Sequence, residues 1–148
     1  HRRYFRVLKL TERVDTLADH AQRFIPKLLA QQRAGEALDV WVSCVKRKPD
    51  FKLDSAPLSY ELAQQAWKAG KPRYVLILAK EFEKRFAGSS LIPPMLELVV
   101  RAYKQGLEQP MQGVHVYMHM KQRFPEHAST KEAEWVLRDE LAELGATP

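Results

Sequence analysis

Apolar positions recur at three- and four-residue spacing along most of this chain, the spacing of one helix face. Val7, Leu10, Val14, Leu17, Ala18 and Ala21 make the first stripe. It predicts a helix ending near Pro26, because proline in a helix interior removes a backbone hydrogen bond. A second helix is expected from Pro26 to Ala34, closed by Gly35. Ala37, Leu38, Trp41, Cys44 and Val45 make the next stripe, which Pro49 stops. Asp54 and Ser55 are candidate caps for a helix with Pro57 near its start, Leu58, Leu62, Ala66 and Ala69 on one face, and Gly70 at its end. The run "KPRYVLILAKEFEKRF" turns Val75, Leu76, Leu78, Ala79, Phe82 and Phe86 inward. Val75 to Leu78 alone would also suit a buried strand, but the long helical continuation argues against that. Pro93 and Pro94 open a helix that Gly106 ends, and another runs from near Pro110 to before Pro125. The last, "STKEAEWVLRDELAELG", spaces Ser129 and Glu132 as a capping box, with Ala133, Val136, Leu137, Leu141 and Leu144 as its stripe and Gly145 closing it. No segment is a convincing strand, and no linker is long enough to separate domains.

The stretches "CVKRKPDF", "FEKRFAGS" and "MKQRFPEH" begin at Cys44, Phe82 and Met120, each 38 residues after the last. Aligning on them puts Ala37, Val75 and Gly113 in one column and Trp41, Ala79 and Tyr117 in the next. Cys44, Phe82 and Met120 form the third. The preceding helices are expected to end at Gly35, Gly70 and Gly106. The unit is helix, glycine turn, helix and proline-type stop.

This unit resembles the tetratricopeptide repeat, a helical hairpin of about 34 residues with a W-x2-L-G-x2-Y, A-x3-F and P pattern. The likeness is carried by Ala37, Trp41 and Pro49, by Leu62, Ala63, Ala66, Gly70, Val75 and Ala79, and by Leu98, Ala102, Gly106, Tyr117 and Pro125. It departs from the pattern in lacking the early Trp and the Leu-Gly pair, in Ala87 standing for the stop proline, and in longer turns in the second and third units. The resemblance implies an all-α fold: a right-handed α-α superhelix, or solenoid, of about three hairpins in a single domain. Its parts would be an N-terminal helix (1–21), repeats at 22–50, 55–88 and 92–126, and a C-terminal capping helix (129–145). Each hairpin would cover the apolar face of its neighbour.

A length of 148 residues suits one domain or a short repeat array. It is long enough to fold without a metal or a disulfide. Cys44, the single cysteine, cannot form an internal disulfide, which favours a reducing compartment without excluding others. No apolar run approaches the roughly 18 residues of a spanning helix. The chain starts at His1 with no methionine, which leaves room for a targeting or membrane segment before it. The basic "HRRYFR" would suit an anionic membrane surface beside such a segment, or simply be an ordinary helix start. The expected location is cytoplasmic, with membrane association through a preceding segment as the alternative. A net charge of +6 biases the chain toward acidic partners, but no nucleic-acid-binding motif accompanies it.

No nucleophilic triad, phosphate loop or dinucleotide fingerprint is present, so no catalysis and no cofactor are expected. Cys44 shares a column with Phe82 and Met120 and reads as core. His115 and His119 are four apart and could share a metal, with His127 as the further candidate; "HVYMH" lacks the Glu of a zinc helix, and two ligands fall short of a site. Arg33, Lys68 and Lys104 stand two residues before the three glycines, and Gln32, Trp67 and Tyr103 stand three before. First helices line the groove in the repeat family, so the resemblance implies a site of Arg33, Tyr60, Gln64, Trp67, Lys68, Val100, Tyr103 and Lys104, with Leu96 alongside. Cations beside aromatics suit a carboxylate-bearing peptide, though cations also favour helix C-termini for their dipole. The dipole equally accounts for Arg47, Arg85 and Arg123 with Lys46 and Lys84, and an acidic partner would also suit them. The function expected is a non-catalytic scaffold or adaptor that binds a peptide or acidic protein segment. The alternatives are an assembly domain of a membrane-anchored protein and a nucleic-acid-binding helical repeat, the latter marked by strong salt dependence.

Overall fold

All regular structure among the residues that the computed structural model describes, 18–145, is helical, and no strand occurs there. The elements are α1 (18–30), α2 (Ala34–Arg47), α3 (Ala56–Lys68), α4 (Pro72–Ala79), α5 (Phe82–Arg85), α6 (Ile92–Arg101) continued by a π-helical turn (Ala102–Gly106), α7 (Pro110–Arg123), α8 (Ala128–Val136) and α9 (Arg138–Glu143). Most of the expected N-terminal helix, with "HRRYFR", lies outside the described residues. No helix is long and apolar enough to cross a membrane among the described residues. The chain divides into two compact units, His1–Leu58 and Ser59–Pro148.

In the first unit, α1 runs straight through Pro26 instead of stopping there. Proline in a helix interior costs roughly 3 kcal/mol. Burying Ile25, Leu28 and Leu29 in phase with Ala21 stabilises by about 1.5–3 kcal/mol per large side chain, so burial wins. The turn expected at Gly35 falls earlier. Gln32 takes the left-handed conformation (φ 59°). Its N–H donates to the Leu29 carbonyl at 3.0 Å and the Arg33 N–H to the Leu28 carbonyl at 2.8 Å. This pair of bonds is the Schellman closure. Gly35 therefore lies in the first turn of α2, which buries Ala37, Leu38, Trp41, Cys44 and Val45 as its stripe requires. The Gln22 side-chain amide donates to the Lys52 carbonyl at 2.8 Å and ties α1 to the loop after α2.

In the second unit, the same closure falls at the expected residue. Gly70 (φ 73°) donates to the Trp67 carbonyl and Lys71 to the Ala66 carbonyl. The core is organised around α6, which buries Ile92, Pro93, Met95, Leu98, Val99 and Val100. Its polar residues, Glu97 and Arg101, bond each other at 3.1 Å. Helices α4, α7 and α8 all pack on α6. Val100, Val114, Tyr117, Met120, Ala133, Val136, Leu137 and Leu141 form one cluster joining α6 to α7, α8 and α9. At Gly113 α7 has room for a side chain: a Cβ there would meet the Leu137 side chain at 3.4 Å and the Val100 carbonyl at 3.5 Å, ordinary contact distances.

Two expected helices are broken. The run Pro72–Phe86 divides because Glu81 takes the left-handed conformation (φ 61°), giving α4 and the single turn α5. A non-glycine residue there costs about 1–2 kcal/mol. Burial of Phe82, its edge-on contact with Phe86 (centroids 5.0 Å apart) and the bond of Glu83 to His119 at 2.8 Å offset that cost. The last helix breaks at Leu137, which is fully buried, while Arg138 donates to the Trp135 carbonyl at 2.9 Å and stacks on its ring. The capping box does not form either. The His127 ring Nδ1 caps α8 by accepting from the Ser129 N–H at 3.0 Å, and Glu132 instead approaches Arg101 at 3.6 Å.

The repeat columns are mostly uniform in burial. Ala37, Val75 and Gly113 are buried, as are Cys44, Phe82 and Met120. Trp41 and Tyr117 are buried, but Ala79 is half-exposed, at the end of the shortened α4.

Two substitutions test this packing. A Cβ on Gly106 would lie 2.5 Å from Pro72 Cβ and 3.3 Å from the Trp67 ring. Gly106→Ala should therefore destabilise by about 1–3 kcal/mol, read as a lower denaturant midpoint; an unchanged midpoint would contradict the close approach. His127→Ala should cost about 1 kcal/mol as a lost cap, and His127→Asn should restore most of it.

Candidate functional site

Of the helices that carry the aligned columns, α2 and α7 have 14 residues each, whereas α4 has 8. The short α4 leaves one flank of α6 uncovered between α4 and α7. An apolar groove of two adjoining wells fills that gap. The larger, about 450 Å³, is lined by Leu76, Ile77 and Lys80 of the α4 side, Leu96, Val99 and Tyr103 of the α6 side, and Val116 of α7. The smaller, about 290 Å³, continues past Ala79 and Leu96 to Phe82, Glu83, Lys84, Ile92 and Met95. The π turn, whose Leu107 N–H reaches back five residues to the Ala102 carbonyl at 2.9 Å, follows directly on α6 and carries Tyr103.

The rim is charged. Lys80 and Lys84 are exposed, and neither has an ion-pair partner among the described residues. Glu83 is engaged by His119 at 2.8 Å and by Arg123 at 4.0 Å. That contact separates the candidate metal pair, because His119 faces a carboxylate on α5 while His115 is exposed. No group of three or more His, Cys, Asp or Glu gathers at metal-binding distance among the described residues. Burial pushes the Cys44 thiol up, only partly opposed by Lys48, which leaves it protonated and poorly nucleophilic.

The eight sequence-predicted site residues do not share one environment. Arg33 stands at the N-terminal boundary of α2, without a side-chain capping bond, and pairs with Glu36, so it is not the counterpart of the helix-end lysines. Tyr60 is half-buried, and burial, then the nearby Glu97 charge, pushes its phenol up. Gln64 and Lys68 are exposed. Trp67 is half-buried against Gly106. Val100 is fully buried in the core cluster and presents no surface to a partner. Lys104 is held by Glu140 at 2.7 Å, so its charge is already answered within the chain. Tyr103 alone among the eight lines the groove. Leu96, expected alongside them, also lines it.

Leu76, Ile77, Lys80 and Val116 were not expected to form a surface. The signal for the first two was present in four consecutive apolar residues, Val75 to Leu78. Such a run covers more than one side of a helix: Val75 and Leu78 are buried, while Leu76 and Ile77 line the groove. No protein-family model, curated protein or solved structure matches this chain.

The Lys104–Glu140 pair yields a pH prediction. Burial pushes the Glu140 carboxyl up, but hydrogen bonds from Lys104 and the backbone and the charges of Lys104 and Arg138 together hold it below its ordinary range. A carboxyl depressed in the fold adds stability above its unfolded value and loses it as pH falls through its folded value. Lys104→Met should thus lower stability at pH 7, by up to about 1 kcal/mol. The gap to wild type should shrink as denaturation is measured at successively lower pH through the carboxylate range. A gap constant with pH would contradict the pairing.

Proposed function

We propose that this chain is a non-catalytic scaffold of tetratricopeptide-like hairpins, stacked as a short α-α superhelix, that binds a peptide or acidic protein segment. Stacking is supported by the packing of α6, which meets its own hairpin partner α7, the preceding second helix α4 and the following helix α8. That is the neighbour-only pattern by which helical repeats cover one another. The observation that carries the binding reading is the apolar groove along α6, flanked by Lys80 and Lys84. The binding surface proposed is therefore this groove, with Tyr103 and Leu96 retained from the expected set, and not a ladder through Arg33, Val100 and Lys104. A nucleic-acid reading gains nothing from Arg101 and Lys104, which are engaged by Glu97, Glu132 and Glu140.

The test is a display selection of random 16-residue peptides on the immobilised protein, followed by anisotropy titration of those recovered. Peptides should bind wild type and lose at least tenfold in affinity on Leu76→Glu, with helix content by circular dichroism unchanged. Equal binding to both proteins, or no recovered peptide, would contradict the reading.

A further inference from the structure

We infer that the occupant of the α6 groove is an amphipathic helix with an acidic flank, lying along α6. This rests on the proposal that the groove binds a protein segment, and it specifies the segment's form. Three observations carry it.

First, the groove is long and lined by side chains at helical spacing. Ile92, Leu96, Val99 and Tyr103 follow one another at four, three and four residues along its floor. Eleven residues at about 1.5 Å each span roughly 16 Å, the length of three helical turns. Leu76 and Ile77 wall one side and Val116 the other. An occupant with apolar residues at i, i+3 or i+4, and i+7 matches that floor turn for turn.

Second, the walls offer an extended segment nothing to pair with. They are helices, whose backbone groups are bonded within themselves, and no strand edge exists among the described residues. An extended peptide pressed on this apolar surface would leave its own N–H and carbonyl groups unpaired, at a cost for each. A helix satisfies those groups internally and brings only side chains to the contact.

Third, the unengaged charge of the rim is net positive, Lys80 and Lys84 against Glu81. Lys80 and Lys84 line the wells from the α4–α5 side without ion-pair partners among the described residues. The facing acid Glu83 is engaged by His119 and Arg123, leaving Glu81 as the remaining lining carboxylate. Acidic residues on the flank of the occupant nearest α4 and α5 complete these pairs.

The probes are three synthetic 14-residue peptides. One carries Leu at i, i+4, i+7 and i+11 with Glu on one flank. The second has the same composition with its Leu residues in strict alternation. The third replaces each flanking Glu by Lys. Anisotropy should show binding of the acidic helix at least tenfold tighter than of either other peptide. The Lys80→Glu/Lys84→Glu variant should lose that preference and take the Lys-flanked helix instead. Alternating or Lys-flanked peptides binding as tightly as the acidic helix would overturn the inference. If selected peptides bind in a Leu76-dependent way yet stay non-helical by circular dichroism when bound, the inference fails while the groove stands. If no peptide of any class responds to Leu76→Glu, both fail.

Discussion

A helix that is apolar almost all the way round has to be covered on all sides, and α6 is such a helix. Its buried residues occupy most of its perimeter, and its two polar side chains bond each other instead of opening a broad wet face. In the second unit the neighbours are arranged to meet this demand. Pro72 and Trp67 press on the glycine of the π turn, and Leu137 is buried where the last helix breaks. Each contact places an apolar group of a neighbour against this helix or its extension, and such burial is the dominant favourable term in folding.

The cover is incomplete because α4 is short. Its continuation is diverted at Glu81, and the diverted turn is anchored by Phe82 and by the engagement of Glu83 with α7. The chain accepts a left-handed non-glycine residue to hold this arrangement. Strained positions of this kind persist only where several surrounding contacts determine them, and they cluster at functional sites. Here the diversion has a direct consequence: it uncovers the flank of α6 and sets two lysines at its edge. The groove and the break are one feature.

Much of this was legible from residue spacing. The stripes of α2 and α7, the closure at Gly70 and the burial of Cys44, Phe82 and Met120 follow from apolar periodicity and from glycine's freedom at positive φ. What was not legible were places where packing overrode a local rule. Pro26 sits inside α1 because large side chains on both sides of it, Ile25 before and Leu28 and Leu29 after, need burial on one face. The turn assigned to Gly35 belongs to Gln32, whose backbone takes a glycine-like conformation that no residue type announces. That one shift removed Arg33 from the column of helix-end cations. Lys104 looked available because its partner, Glu140, lies 36 residues away in the chain. The division at Lys80 and Glu81 has no breaker residue at all, so the groove it creates was visible only as an excess of apolar residues from Val75 to Leu78.

The account depends most on the flank of α6 being open in solution. Methyl NMR with a soluble paramagnetic agent measures this directly. The account predicts strong relaxation enhancement at the methyls of Leu76, Ile77, Leu96 and Val116, and little at Val75, Val100 and Leu137. Equal protection of both groups would mean that the flank is closed and would contradict it.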